Sequence, residues 1–244
     1  ATLAFLSTTF GLGAMLALLL QRRARVQAYV ALGMMGLSLG FSALLLARVI
    51  TGGEAVVLQV GGWRFPYGIS LVGDPLSALF VVMSQLVLCA GLIYARGSKD
   101  AIIRYPPFYT LFLLLATGLT GAFLTGDLFN LFVFAELLVI SGTTLTAASD
   151  DRYGTEAAYK YFYMSLLAST FMLLAIGSLY VSYGTLNMAD LAGRIAARPD
   201  GSLTTAAIAL LMATFMIKSA VFPFHFWQPD FHAAAPTAVS AMLS

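Results

Sequence analysis

Seven apolar segments, each long enough to cross a bilayer, follow one another at roughly residues 2–20, 27–50, 75–95, 108–125, 128–148, 157–182 and 204–226. Crossing the hydrocarbon as a helix takes about 20 predominantly apolar residues. A lipid-exposed segment must also satisfy its own backbone hydrogen bonds, which makes each segment a helix. The sequence therefore predicts an all-α polytopic membrane protein. An eighth apolar segment, "PTAVSAMLS", opens at residue 236 and reaches Ser244 after nine residues. The expectation is seven transmembrane helices plus the start of an eighth, in a chain that continues past Ser244. Charged residues are 10% of the total, against about 25% in soluble domains.

Other classes fall away on the same grounds. A net charge of +2 with no long basic cluster gives nothing to track phosphates, so no nucleic-acid partner is expected. Cys89 is the one cysteine, which excludes a disulfide framework and a thiolate metal site, and its apolar surroundings read as packing. Residues 2–20 lack the basic n-region and small-residue cleavage site of a signal peptide. No Gly-rich phosphate loop, HExxH or CxxC occurs.

Loop charges set the expected orientation. Loops after the first, third and fifth helices hold Arg22, Arg23, Arg25, Arg96, Lys99, Arg104, Arg152 and, at the membrane edge, Lys160. The opposite side holds Arg48, Arg64, Arg194 and Arg198, eight against four. The positive-inside rule then puts the N-terminus outside. The loop 51–73 is rich in Gly and β-formers and reads as a small outer hairpin. "TLNMADLAGRIAARPDG" reads as one short amphipathic turn with Leu186, Leu191 and Ile195 on a shared face. "GLSLG" at 36–40 has the small-xxx-small spacing of close helix packing.

Two charges stand inside apolar segments, Glu136 in "LFNLFVFAELLVISGTT" and Lys218 in "MATFMIKSAVFPFHFWQPD". An ionisable group at membrane depth costs about 2.5–3.5 kcal/mol on insertion scales and marks an interior or water-filled path. Phe129, Phe132 and Thr143 share the Glu136 face at helical spacing. Burial disfavours the charged form of both groups, and an opposite charge nearby restores it. A lysine balanced between those effects can take up and release a proton. A structural ion pair is the other reading of the same two residues.

Pro223 follows Lys218 by five positions. Lacking an N–H for the Ser219 carbonyl, it is expected to break the helix just after Lys218, and broken helices near the midplane are a transporter feature. His225 and His232 follow the break and could extend a proton route, with interfacial anchoring beside Trp227 as the alternative. Asp230 is their one nearby further ligand, and no metal site or cofactor is expected. Lys160 stands four residues after Glu156, the favourable order for a helical pair. It reads either as a snorkelling lysine or as a third relay member.

Three stretches, "GDLFNLFVFAELLVIS", "EAAYKYF" and "IKSAVFPFHFWQPDFHAAAPTAVSA", carry a resemblance. The chain resembles the large antiporter-like membrane subunits shared by Mrp-type multisubunit cation/proton antiporters, respiratory complex I and membrane-bound hydrogenases. With "GGWRFPYGISLVGD" it looks most like the D-type subunits of the Mrp complexes. The resemblance covers essentially the whole chain and implies the N-terminal part of an inverted-repeat antiporter-like fold. Residues 1–107 would form three N-terminal helices with the outer loop, and 108–244 a first repeat truncated in helix eight. It implies a proton relay through Glu136, Lys218 and Lys160, which His225 and His232, read from the residues alone, could extend beyond the break. It further implies other subunits of a membrane antiporter complex as partners, protons and sodium as the ions moved, and a bacterial plasma membrane. Gln228, where Leu is common, and Ala238, where some branches have Pro, depart from the pattern. A proton-pumping subunit of an NADH-quinone oxidoreductase or hydrogenase, and a purely structural subunit, remain as alternatives.

Overall fold

The computed structural model describes residues 2–63, 66–98, 103, 105–148, 151–198, 201–235 and 237–243. Arg64, Lys99 and Arg104 of the loop-charge count lie outside them. The elements are α1 (Thr2–Leu19), α2 (Ala24–Gly52), β1 (Val56–Gln59), β2 (Ser70–Gly73), α3 (Pro75–Gly97), α4 (Phe108–Leu124), α5 (Leu128–Ala147), α6 (Arg152–Tyr183), α7 (Met188–Ala197), α8 (Ser202–Lys218), α9 (Trp227–Ala234) and α10 (Thr237–Leu243). Among them α1, α2, α3, α5 and α6 are long and apolar enough to cross a membrane, while α4 and α8 are shorter apolar helices.

Local chemistry sets these boundaries. Asp74 accepts from the Ser77 N–H and Ser77 Oγ accepts from the Asp74 N–H, with Pro75 at the first helical position of α3. Asp127, Asp151 and Asn187 cap α5, α6 and α7 through side-chain oxygens. α2 and α6 end on Gly53 and Gly184, both left-handed at φ 68°.

The expected hairpin forms, with β1 and β2 antiparallel and Val57 opposite Val72. Its second strand anchors one end of the bundle. The Gly126 N–H donates to the Ser70 carbonyl and the Met188 N–H to the Gly126 carbonyl. Asn187 Nδ2 donates to Ser70 Oγ at 2.7 Å. Hairpin, start of α5 and start of α7 are thus one hydrogen-bonded unit. The expected amphipathic turn is a ten-residue helix, α7. Leu191 and Ile195 pack with Leu179, Tyr183 and Ala207, but Leu186 precedes the helix and instead accepts from the Leu128 N–H.

The largest core cluster runs across the bundle, joining Phe10 of α1, Leu88 and Leu92 of α3, Phe108 and Phe112 of α4, and Phe231 and Val239 of α9 and α10. α4 lies at its centre and packs most closely on α5. A Cβ at Gly118 would stand 2.8 Å from the Phe134 carbonyl oxygen and 2.9 Å from the Leu138 nitrogen, and one at Gly121 would overlap the Phe134 ring. Glycine permits this approach of two backbones. The expected close packing at "GLSLG" is not found among the described residues: no atom of another part of the chain lies within 4 Å of a Cβ built at Gly36 or Gly40.

Candidate functional site

The apolar segment 204–226 is not one continuous helix: α8 ends at Lys218, the residue after which Pro223 is expected to break it. The Val221 N–H donates to the Met216 carbonyl and the Ala220 N–H to the Ile217 carbonyl. This is the Schellman pattern, with Ala220 in the left-handed position at φ 50° where glycine is usual. Termination thus begins four residues before the Pro223 ring; the Phe222–Pro223 bond is cis. Trp227 Nε1 donates a further hydrogen bond to the Ile217 carbonyl at 3.2 Å, so a side chain beyond the break covers backbone freed by it.

An alanine Cβ in the left-handed region costs about 1–2 kcal/mol. Ala220→Gly is expected to stabilise the purified protein by about 1 kcal/mol, and Ala220→Val to destabilise it. Thermal midpoints in detergent check the order. Equal midpoints for Ala220→Gly and Ala220→Val would show that Ala220 carries no such strain.

Lys218 is the last helical residue before the break, and its Nζ is buried with no hydrogen-bond partner among the described residues. Buried ammonium groups nearly always have one. It lines a cavity of about 330 Å³ with Ser165, Trp227, Gln228 and His232. One turn earlier, Thr214 Oγ1 donates to the Ala168 carbonyl of α6 at 3.1 Å, which fixes this face of α8 against α6.

Glu136, on α5, is partly buried and accepts a hydrogen bond from Ser169 Oγ of α6. Its carboxylate is near enough to act electrostatically on both Lys218 and Tyr161. Among the described residues no ion pair joins Glu136 to Lys218. The two face the same interior and interact through space, with Ser169 the carboxylate's direct partner. Thr143, on the expected Glu136 face, has a buried hydroxyl without a partner among the described residues.

α9 docks on α6 through rings and charges. Tyr161 stacks on Trp227 at 5.0 Å between centroids and packs against Phe231 at 4.9 Å. Lys160 Nζ lies 2.8 Å from Glu156 Oε1, the expected i,i+4 pair, and 2.6 Å from Asp230 Oδ2 on α9. His232, two residues on, pairs through Nδ1 with Ser240 Oγ of α10 at 2.8 Å.

The structure thus brings Lys218 and His232 to one cavity, with Glu136 beside it and Lys160 at the α6–α9 contact. His225 is apart from them, exposed and against the Phe222 ring at 5.7 Å. Ser169 and Asp230 are direct partners of Glu136 and Lys160 that sequence reasoning missed. Their separations of 33 and 70 residues leave no periodic signal. Asp230 was visible in the sequence as the acidic residue between His225 and His232, not as the partner of Lys160.

A family profile described as "NADH:quinone oxidoreductase/Mrp antiporter, TM" matches residues 125–244. The chain is 36% identical over 202 residues to the D-type subunit of the Na(+)/H(+) antiporter of Bacillus subtilis, covering 82% of this chain and 41% of that one. It is 38% identical over 210 residues to the N-type subunit of the NADH-quinone oxidoreductase of Desulforudis audaxviator, covering 84% and 41%. A chain in the solved structure of the Mrp complex from Dietzia sp. DQ12-45-1b superposes with a TM-score of 0.85 at 30% identity, covering 98% of this chain and 45% of that one. The chain spans about two fifths of the length of these curated relatives.

Proposed function

We propose, of a chain that belongs to the NADH:quinone oxidoreductase/Mrp antiporter membrane family, that it is a proton-translocating membrane subunit of a multisubunit sodium/proton antiporter. The observation that carries the reading is Lys218: a buried ammonium without a direct partner among the described residues, at the end of an interrupted helix, facing a cavity shared with His232. In this reading α8 is the first half of a broken seventh span and α10 the start of an eighth. Residues 108–244 then form the first antiporter-like repeat after an N-terminal unit of 1–107. The N-terminus faces outward across a bacterial plasma membrane.

The mechanism follows from the groups present. With Glu136 ionised, the ammonium form of Lys218 is favoured and the proton is held. When Glu136 is protonated or drawn to a neighbouring subunit's cation, desolvation dominates and the proton leaves toward His232 through the cavity. Ser169 holds the Glu136 carboxylate toward α6. Lys160, shared between Glu156 and Asp230, is the next cation on the inner side, and His225 an outlying member beyond the break.

Glu136→Gln tests the reading in the full-length chain within its assembled complex. The amide still accepts from Ser169 but carries no charge and no transferable proton. Sodium-driven proton flux in vesicles is expected to fall about a hundredfold, the scale of a lost acid–base group, with assembly unchanged. Near-normal flux would sink the proposal. The kinship to the N-type subunit of an NADH-quinone oxidoreductase favours one second reading, a redox-driven proton pump, which the proteins that co-purify with the full-length chain distinguish.

A further inference from the structure

At the end of the bundle that the proposed orientation places inside, the start of α2, the end of α3 and the start of α4 line a second cavity of about 530 Å³. Arg25 and Arg96 both line it, with Tyr29 and Tyr109. The Arg96 guanidinium lies over the Tyr29 ring at 4.4 Å from its centroid, which fixes the plane of its donors. Among the described residues, Arg22, Arg23, Arg25 and Arg96 make no ion pair with an acidic side chain.

A buried side chain next to this cavity ties the surrounding helix ends together. Gln27 is buried, and its Nε2 donates to the Ala17 carbonyl at 2.6 Å and to the Pro106 carbonyl at 3.2 Å. One side chain thus ties the end of α1 and the approach to α4 to the first turn of α2. The flanking surfaces of α2 and α3 are apolar and open outward, with Val26, Ile93 and Tyr94 exposed. Two guanidinium groups with no acidic partner among the described residues therefore stand at helix ends, on helices whose neighbouring surface is exposed and apolar.

We propose that this cavity is a binding site for the headgroup of an anionic phospholipid. Arg25 and Arg96 hold the phosphodiester, and the acyl chains lie along Ile93 and Val26. A planar guanidinium offers paired N–H donors that match phosphate oxygens, and basic pockets between membrane helices on the inner side suit such headgroups. A free phosphate would satisfy the arginines equally well but would leave the apolar surface unused, which favours the lipid. The inference is independent of whether Lys218 carries protons.

The test places a bimane label on Ile93→Cys in the full-length chain, in a cysteine-free background that includes Cys89→Ala, assembled with its complex. Quenching by brominated phosphatidylglycerol is compared with quenching by brominated phosphatidylcholine. Each arginine near the headgroup is expected to strengthen anionic-lipid binding about fivefold, giving a preference of about 25-fold. Arg25→Gln and Arg96→Gln should each reduce it about fivefold, the double variant should abolish it, and Arg25→Lys should keep most of it. If the double variant does not assemble, the single variants decide. An unchanged preference in Arg96→Gln overturns the proposal. So does full relief of quenching by millimolar inorganic phosphate, which would make the free anion the ligand.

Discussion

Lys218→Arg is expected to assemble normally and to lose cation-driven proton flux by about a hundredfold or more, as Lys218→Ala does. Arginine keeps the positive charge and the reach of the side chain, so any role in fixing helix positions survives. Its guanidinium does not give up a proton at working pH, so any role in carrying one does not. The cavity beside Lys218, about 330 Å³, has room for the larger head, with Ser165 and Gln228 on its wall to receive it. Flux is read as pH-gradient collapse in vesicles carrying the whole complex, with assembly checked by co-purification. If Lys218→Arg transports at near wild-type rate, Lys218 is structural and the relay reading ends.

Gly118→Val should destabilise the protein by about 3 kcal/mol, the upper part of the range for overpacking. The added Cβ meets the Phe134 carbonyl oxygen, the Leu138 nitrogen and the Leu138 Cα within 3.2 Å. These are backbone atoms that no rotamer change can move aside, so α4 and α5 must separate. Glu136 stands between Phe134 and Leu138, and its carboxylate moves with them away from Ser169. A Cβ at Gly36 meets nothing from other parts of the chain within 4 Å among the described residues, so Gly36→Val should change stability by less than about 0.5 kcal/mol. Thermal unfolding in detergent, with Glu136-dependent flux as second readout, compares the two. Equal midpoints would show that the α4–α5 approach is not a packing constraint.

Five of the seven expected spans were legible because an apolar run of membrane length has few other solutions, whereas 108–125 and 204–226 gave the shorter apolar helices α4 and α8. The hairpin was legible because Gly-Gly and β-branched residues punctuate 51–73. Packing specificity was harder to read. Two sites have small residues at helical spacing, "GLSLG" and the Gly118/Gly121 pair, and spacing alone does not say which faces another helix. The end of α8 at Lys218 lies where Pro223 is expected to break the helix, but the Schellman bonds to Met216 and Ile217 and the Trp227 indole that cover its freed carbonyls were not legible. Glu136, Lys218 and Lys160 were conspicuous as charges among apolar residues. Their direct partners, Ser169 and Asp230, belong to other helices, and that pairing is a property of the packed bundle.

The 32 residues of α6 rise about 48 Å at about 1.5 Å each, well beyond the roughly 30 Å of hydrocarbon. With the surplus divided evenly, about 9 Å emerges at each end, and Lys160, eight residues along, stands only about 3 Å inside the boundary. The Lys160–Asp230 contact therefore sits where dielectric changes most steeply. Thinner lipid leaves it in water, where salt screens it, and thicker lipid encloses it. The strength with which α9 is held to α6 is thus set partly by bilayer thickness, so the same sequence closes this joint more firmly in a thick membrane than in a thin one.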